Sequence, residues 1–186
     1  MGSGTPGSTD HVHHYRATCS WRGSTGGGYE AYDRSHEAGA RPARADLVLS
    51  ADPAFRGDAE RLNPEQLLLL SAASCQLLSF LAVAARARVD VVAYVDEAEA
   101  VMPESPRPVQ ISEIRLHPVI TVRGPVRVRR VEELVEVAHR ECYVANSLRC
   151  AVHVSPLVRR VGDDGDQGSR GGGAGRQEGP PPTTTG

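Results

Sequence analysis

The hydrophobic pattern of the chain is dominated by one stretch, Leu67 to Ala85, in which apolar and small side chains run without a charge. Asn63 stands where a capping residue is wanted, Pro64 follows at the first helical position, and Gln66 comes three residues after the cap. These signals predict a helix from Pro64 to roughly Arg86. Its length would suffice to span a bilayer, but Ser71, Ser74, Gln76 and Ser79 interrupt it and the rest of the chain is patterned for strands. A helix buried on most sides inside a protein core is therefore expected.

Elsewhere the apolar positions alternate. Tyr15 to Arg22 and Tyr29 to His36 read as strands joined by the glycine-rich segment Gly23 to Gly28, and Ala45 to Ser50 as a third. Val89 to Met102 and Val109 to Val122 read as hairpin partners across the proline-bearing loop Pro103 to Pro108. A second helix is expected from about Val131, with an apolar stripe of Val131, Leu134, Val135, Ala138, Cys142 and Ala145, so that Cys142 faces the core. Cys150 to Val154 closes the pattern as a strand. Strands, helix, strands, helix and strand in that order indicate an α+β domain. No nucleotide fingerprint and no tandem repeat interrupt it.

Residues 1–13 and 162–186 are rich in Gly, Ser, Pro and Thr, and both are expected to be disordered around one domain over residues 14–161. With 186 residues and 40% hydrophobic content, the chain has enough material for one real core. The formal charge of −2 gives no reason to expect nucleic acid or a membrane surface as partner. Every basic residue besides histidine is arginine, which excludes a lysine Schiff base and a P-loop. The N-terminus lacks the apolar segment of a secretory leader, so a cytoplasmic location is expected. In that compartment the four cysteines are buried thiols, reactive groups or metal ligands. There is no C-x-x-C or H-E-x-x-H, and His11 to His14 reads as a solvated polar tract, so neither zinc nor another cofactor is expected.

The candidate chemistry lies in two cysteines far apart in sequence, each within a helix-like segment: Cys75 and Cys142. Such a pair suits a two-cysteine thiol peroxidase. A thiolate attacks the O–O bond, so the attacking cysteine needs a neighbour that lowers its pKa from about 8.5. Cys75 is too deep in its helix for the macrodipole to serve, because that effect is confined to the terminal turn. An arginine, aimed by a carboxylate, is the natural substitute. The sulfenic acid then condenses with a second thiol, for which Cys142 is the candidate. Set against this, a cysteine on a buried helix is commonly just a small hydrophobe. Cys19 and Cys150 read as structural, His139 as an exposed helical residue, and the serines lack a His/Asp arrangement for hydrolysis.

Asn63-Pro-Glu-Gln-Leu-Leu-Leu-Leu-Ser-Ala-Ala-Ser-Cys75 and the segment His139 to Leu148 resemble the signatures of the OsmC/Ohr family of osmotically inducible and organic hydroperoxide resistance proteins. Trp21-Arg-Gly with Gly26 to Gly28, and Ser50 to Asp58, extend the resemblance over most of residues 15–158. It implies an intertwined homodimer in which curved antiparallel sheets wrap two central cysteine-bearing helices. It also implies a cofactor-free reduction of organic hydroperoxides, with a lipoyl-type dithiol as reductant. By the same resemblance Cys75 matches the peroxidatic position, Cys142 the resolving one, and Glu65 the acid that holds the activating arginine. That arginine would lie near the glycine-rich connection, where Arg22, Arg34 and Arg56 are the candidates and Arg34 is favoured. Glu65 and Cys75 are ten residues apart (75 − 65), roughly 15 Å along an unbroken helix and on different faces. Glu65 can then serve Cys75 only from the other subunit, or across a helix break. Two alternatives use the same scaffold: a binding protein for a small apolar ligand, and a thiol redox sensor.

Overall fold

The computed structural model describes residues 12–162. The chain runs β1 (Thr18–Ser20), β2 (His36–Gly39), β3 (Asp46–Leu49), a 3₁₀ turn (Pro53–Phe55), α1 (Pro64–Arg86), β4 (Asp90–Asp96) and β5 (Glu99–Val101). It continues with β6 (Glu113–Leu116), β7 (Pro118–Arg123), α2 (Val128–Arg140), α3 (Tyr143–Ser147), β8 (Ala151–Val154) and β9 (Leu157–Arg160). This is the expected α+β arrangement. The leader to residue 11 and the tail from residue 163 lie outside the described residues.

Helix α1 starts as its sequence predicts. The Asn63 side chain accepts the Gln66 amide at 2.8 Å, and the Gln66 side chain accepts the Asn63 amide at 3.0 Å. Two donors that the first helical turn leaves open are thus satisfied reciprocally. One face of α1 is buried, through Ala72, Gln76, Phe80, Val83 and Ala84. The expectation of burial on most sides does not hold for the single chain. Leu70 is 52% and Leu78 62% exposed, and only 28% of the most apolar window is buried. By length and a hydropathy of 2.1 the helix would pass as a membrane span.

The N-terminal strands are shorter than the pattern suggested. Only Thr18–Ser20 of the first pairs, and Tyr29 to Ser35 is not a strand. The backbone turns at Thr25 to Ala31, with Gly28 at φ +86°, a conformation glycine adopts without strain. The Arg34 guanidinium folds the following segment back by donating to the carbonyls of Tyr29 and Tyr32. Strand pairing resumes at His36. In the β1-β2-β3 sheet, Cys19, Ala38 and Leu47 stand opposite one another and share a face.

The predicted long hairpin exists but is divided between two sheets. β4 pairs with β7, and β5 pairs with β6, both antiparallel. The seam falls where β4 ends, and there the Asp96 carboxylate accepts the His117 amide at 2.7 Å. β8 extends one sheet parallel to β6, and β9, which the pattern did not foresee, extends the other parallel to β7. Two cores result. Phe80, Val83 and Ala84 pack with Ile120, Val122, Val131, Leu134 and Val135, while Ala72 packs with Ile114 and Leu116.

The second helix stops earlier than its stripe predicts. α2 ends at Arg140, Cys142 is extended at φ −72°, ψ 108°, and α3 begins at Tyr143. The Asn146 side chain donates to the Arg140 carbonyl at 2.9 Å, which satisfies an acceptor that α2 leaves open. Cys142 is therefore not a helical residue, although it is buried as expected, with 1% exposure.

Candidate functional site

The break between α2 and α3 delivers Cys142 to α1. Its thiol lies beside that of Cys75, close enough for the two to influence each other's protonation, and both cysteines are free. The Val144 amide, in the first turn of α3, donates to the Cys75 sulfur at 3.5 Å. Burial pushes the Cys142 thiol above its ordinary range, and the Cys75 thiol adds to this, while the Ala145 and Val144 amides oppose it. Cys142 is thus held as a thiol at neutral pH. Cys75 is half-buried and opens onto a cavity of about 480 Å³ shared with Ser71, Ser74, Leu78 and Tyr143. One wall of this cavity carries an ion pair, Arg86 to Glu141 at 3.0 Å.

Arg34 and Glu65 belong to a second cavity, of about 510 Å³, lined also by Cys19, Trp21, Tyr32 and Phe55. Arg34 lies over the rings of Tyr32, at 4.0 Å, and Tyr29, at 4.6 Å. Its two terminal nitrogens donate to the carbonyls of Tyr32 at 2.5 Å and Tyr29 at 2.6 Å. The guanidinium is thereby fixed before any substrate arrives. Glu65 lies in the first turn of α1, half-buried. Of the other candidate arginines, Arg56 is paired with Glu30 and Arg22 is exposed.

The single chain therefore brings together Cys75 and Cys142, and separately Arg34 and Glu65. Because α1 is unbroken from Pro64 to Arg86, the helix-break route from Glu65 to Cys75 is closed. Cys19 lies exposed on β1 at the Arg34 cavity, and Cys150 packs half-buried against the second core. His139 is half-buried, not exposed. Its Nδ1 is a buried atom without a hydrogen-bond partner among the described residues, and the residue lines a cavity with Val152 and Val154 of β8. Among the described residues, no group of three His, Cys, Asp or Glu side chains could hold a metal ion.

Sequence reasoning did not find Arg86 and Glu141. Arg86 follows Cys75 by three helical turns on nearly the same face, which helical periodicity could have shown. Tyr94 and Asp96, whose buried polar atoms lie at the seam between the sheets, were read as ordinary strand residues.

The description "OsmC-like protein" belongs to a family model that matches residues 57–156. Among solved structures, an OsmC-like protein of unknown function from Vibrio cholerae superimposes with a TM-score of 0.72 at 21% identity, covering 78% of this chain and all of its own. An organic hydroperoxide resistance protein from Legionella pneumophila gives a TM-score of 0.61 at 21% identity, covering 80% of this chain and 98% of its own. The organic hydroperoxide resistance protein OhrB of Bacillus subtilis gives 0.52 at 19% identity, covering 79% and 98%. A comparison with curated proteins finds no match.

Proposed function

Because the chain belongs to the OsmC-like protein family, we propose that it is a thiol-dependent peroxidase that reduces organic hydroperoxides to alcohols. The observation that carries this reading is the contact between the Cys75 and Cys142 thiols. Cys75 attacks the peroxide and becomes a sulfenic acid; Cys142 condenses with it, releasing water and leaving a disulfide. A dithiol of lipoyl type returns the pair to the reduced state in a reducing cytoplasm.

Activation of Cys75 needs a guanidinium that its own chain holds in a different cavity. In the proposed homodimer, Arg34 and Glu65 of the partner subunit complete the site. The exposed apolar side of α1 supports this, since Leu70 and Leu78 would be covered by a second copy. The decisive experiment is the rate of Cys75 thiol loss with cumene hydroperoxide and with hydrogen peroxide. A faster reaction with the organic peroxide is expected, and a Cys75 inert to both would end the peroxidase reading.

A second reading is favoured by the aromatic lining of the Arg34 cavity, where Trp21, Tyr32 and Phe55 offer a surface for a small apolar ligand. An unreactive Cys75, together with saturable quenching of Trp21 by such a ligand, would support it.

A further inference from the structure

Cys142 is the joint between α2 and α3, extended at φ −72°, ψ 108° between two helical segments. Its place on α1 is therefore set by what ties the two sides of the joint. On the α3 side the Val144 amide donates to the Cys75 sulfur at 3.5 Å. On the α2 side the Arg86 guanidinium, in the last turn of α1, donates to the Glu141 carboxylate at 3.0 Å. Glu141 is the residue immediately before Cys142, and it closes α2 by donating its own amide to the Val137 carbonyl at 3.1 Å. Arg86 and Glu141 both wall the cavity onto which Cys75 opens.

The two ties respond differently to oxidation. When Cys75 becomes a sulfenic acid its sulfur acquires an oxygen, and the Val144 bond to that sulfur has to reorganise. The Arg86–Glu141 pair uses no atom that reacts. A carboxylate at the C-terminal end of a helix also opposes the macrodipole, so Glu141 does nothing for α2 on its own account. Its position is explained by the link to α1. Arg86 is badly placed to activate Cys75 directly, because eleven residues (86 − 75) of unbroken helix separate them by roughly 16 Å along the axis.

We propose that Arg86 and Glu141 are positioning residues for the resolving step: their ion pair keeps the Cys142 end of α2 on α1 while Cys75 is a sulfenic acid. This rests on the peroxidase reading, in which Cys142 is the resolving thiol. In the step they serve, the Cys142 sulfur attacks the Cys75 sulfur, the S–S bond forms and the S–O bond breaks. The hydroxide leaves as water with the Cys142 thiol proton. Peroxide, already consumed at Cys75, is the only oxidant, and neither Arg86 nor Glu141 exchanges a proton. The pair is more than half exposed, at 64% and 55% of its side chains, so its contribution is a factor of roughly two to five, the range of exposed ion pairs.

The test separates the two oxidation steps in Arg86→Ala, Arg86→Lys, Glu141→Gln and the charge reversal Arg86→Glu with Glu141→Arg, using one equivalent of cumene hydroperoxide and rapid acid quench. Sulfenic acid formation at Cys75 is expected at the wild-type rate throughout. Disulfide formation should fall roughly two- to fivefold in Arg86→Ala and Glu141→Gln, stay near wild type in Arg86→Lys, which keeps the charge, and recover in the reversal. Added salt should slow this step in the wild type, since exposed charges are screened, and leave it unchanged in Glu141→Gln. An unchanged disulfide step in both single variants overturns the proposal. So does slowing that neither the reversal nor salt follows, which is what a general loosening of the fold would produce. A slowed first step overturns it too, since Arg86 would then be an activator of Cys75. A second readout does not depend on peroxide: the equilibrium of the Cys75–Cys142 disulfide with a dithiothreitol buffer measures how closely the two thiols are held. It should shift toward the reduced pair by the same factor in Arg86→Ala and Glu141→Gln, and an equilibrium that stays put overturns the tether even where the enzyme works. If it shifts but wild-type Cys75 ignores peroxide, the peroxidase reading fails and the pair's part in resolution falls with it.

Discussion

The Val144 amide donates to the Cys75 sulfur at 3.5 Å across 69 positions of sequence. That bond fixes the start of α3 on the middle of α1, and Cys142, two residues earlier, comes along with it. One equivalent of organic hydroperoxide should therefore yield an intramolecular Cys75–Cys142 disulfide, identified by peptide mapping. Cys142→Ser should still consume about one equivalent and then over-oxidise at Cys75, because a sulfenic acid without a nearby thiol climbs the oxidation ladder. Cys75→Ser should abolish turnover. A Cys19–Cys150 product would show that different thiols are at work.

The uncovered side of α1 predicts a homodimer. Leu78 is the most exposed large hydrophobic residue on the helix, at 62%, and burying a leucine is worth roughly 1.5–3 kcal/mol. Light scattering over a dilution series should give twice the chain mass at micromolar concentration. Leu78→Glu should shift the population to monomer and lower activity. A wild-type monomer with reactive Cys75 would remove the shared site.

Arg34 is expected to act at the first step. Its guanidinium is held by two carbonyls and two tyrosine rings, so Arg34→Ala should slow peroxide reduction at neutral pH and recover partly in alkaline solution, where a thiol needs no cationic neighbour to ionise. Stopped-flow rates over pH measure this. If Arg22→Ala reproduces the effect and Arg34→Ala does not, the exposed arginine is the one that reaches the partner's thiol.

The helix that carries Cys75 was legible because its signals are local. Asn63, Pro64 and Gln66 act within one turn, and the observed capping bonds are those the spacing implies. Substituting Asn63 by Ala should accordingly cost about 1 kcal/mol in urea unfolding. The strand expected at Tyr29 to Ser35 failed because Arg34 supplies side-chain donors to carbonyls that a strand would have paired, which residue alternation cannot reveal. Cys142 was rightly placed toward the core but wrongly placed in a helix, since the helix ends at Arg140, whose carbonyl accepts the Asn146 side chain six residues on, a contact that the apolar stripe does not encode. Tyr94 and Asp96 alternate like ordinary strand positions, and that alternation does not reveal the division of the hairpin between two sheets, where the Asp96 carboxylate accepts the His117 amide.

The buried Asp96 carboxyl should reveal itself through the pH dependence of stability. Burial raises its folded-state pKa above the ordinary 3.8, while His117 and its amide oppose the shift only in part. Below about 3.8 the carboxyl is neutral both folded and unfolded and costs nothing. As pH rises, the unfolded chain ionises first, so stability is lost progressively until the folded-state pKa is passed. Asparagine keeps the oxygen that accepts the His117 amide and removes the charge. Asp96→Asn should therefore be as stable as wild type near pH 4 and more stable at pH 7, with the gap opening between those values. Urea midpoints at a series of pH values measure the gap. A wild type that gains on the variant as pH rises would mean that the ionised carboxylate has a favourable partner in the folded protein, and Asp96 would then be an anchor of the sheet seam.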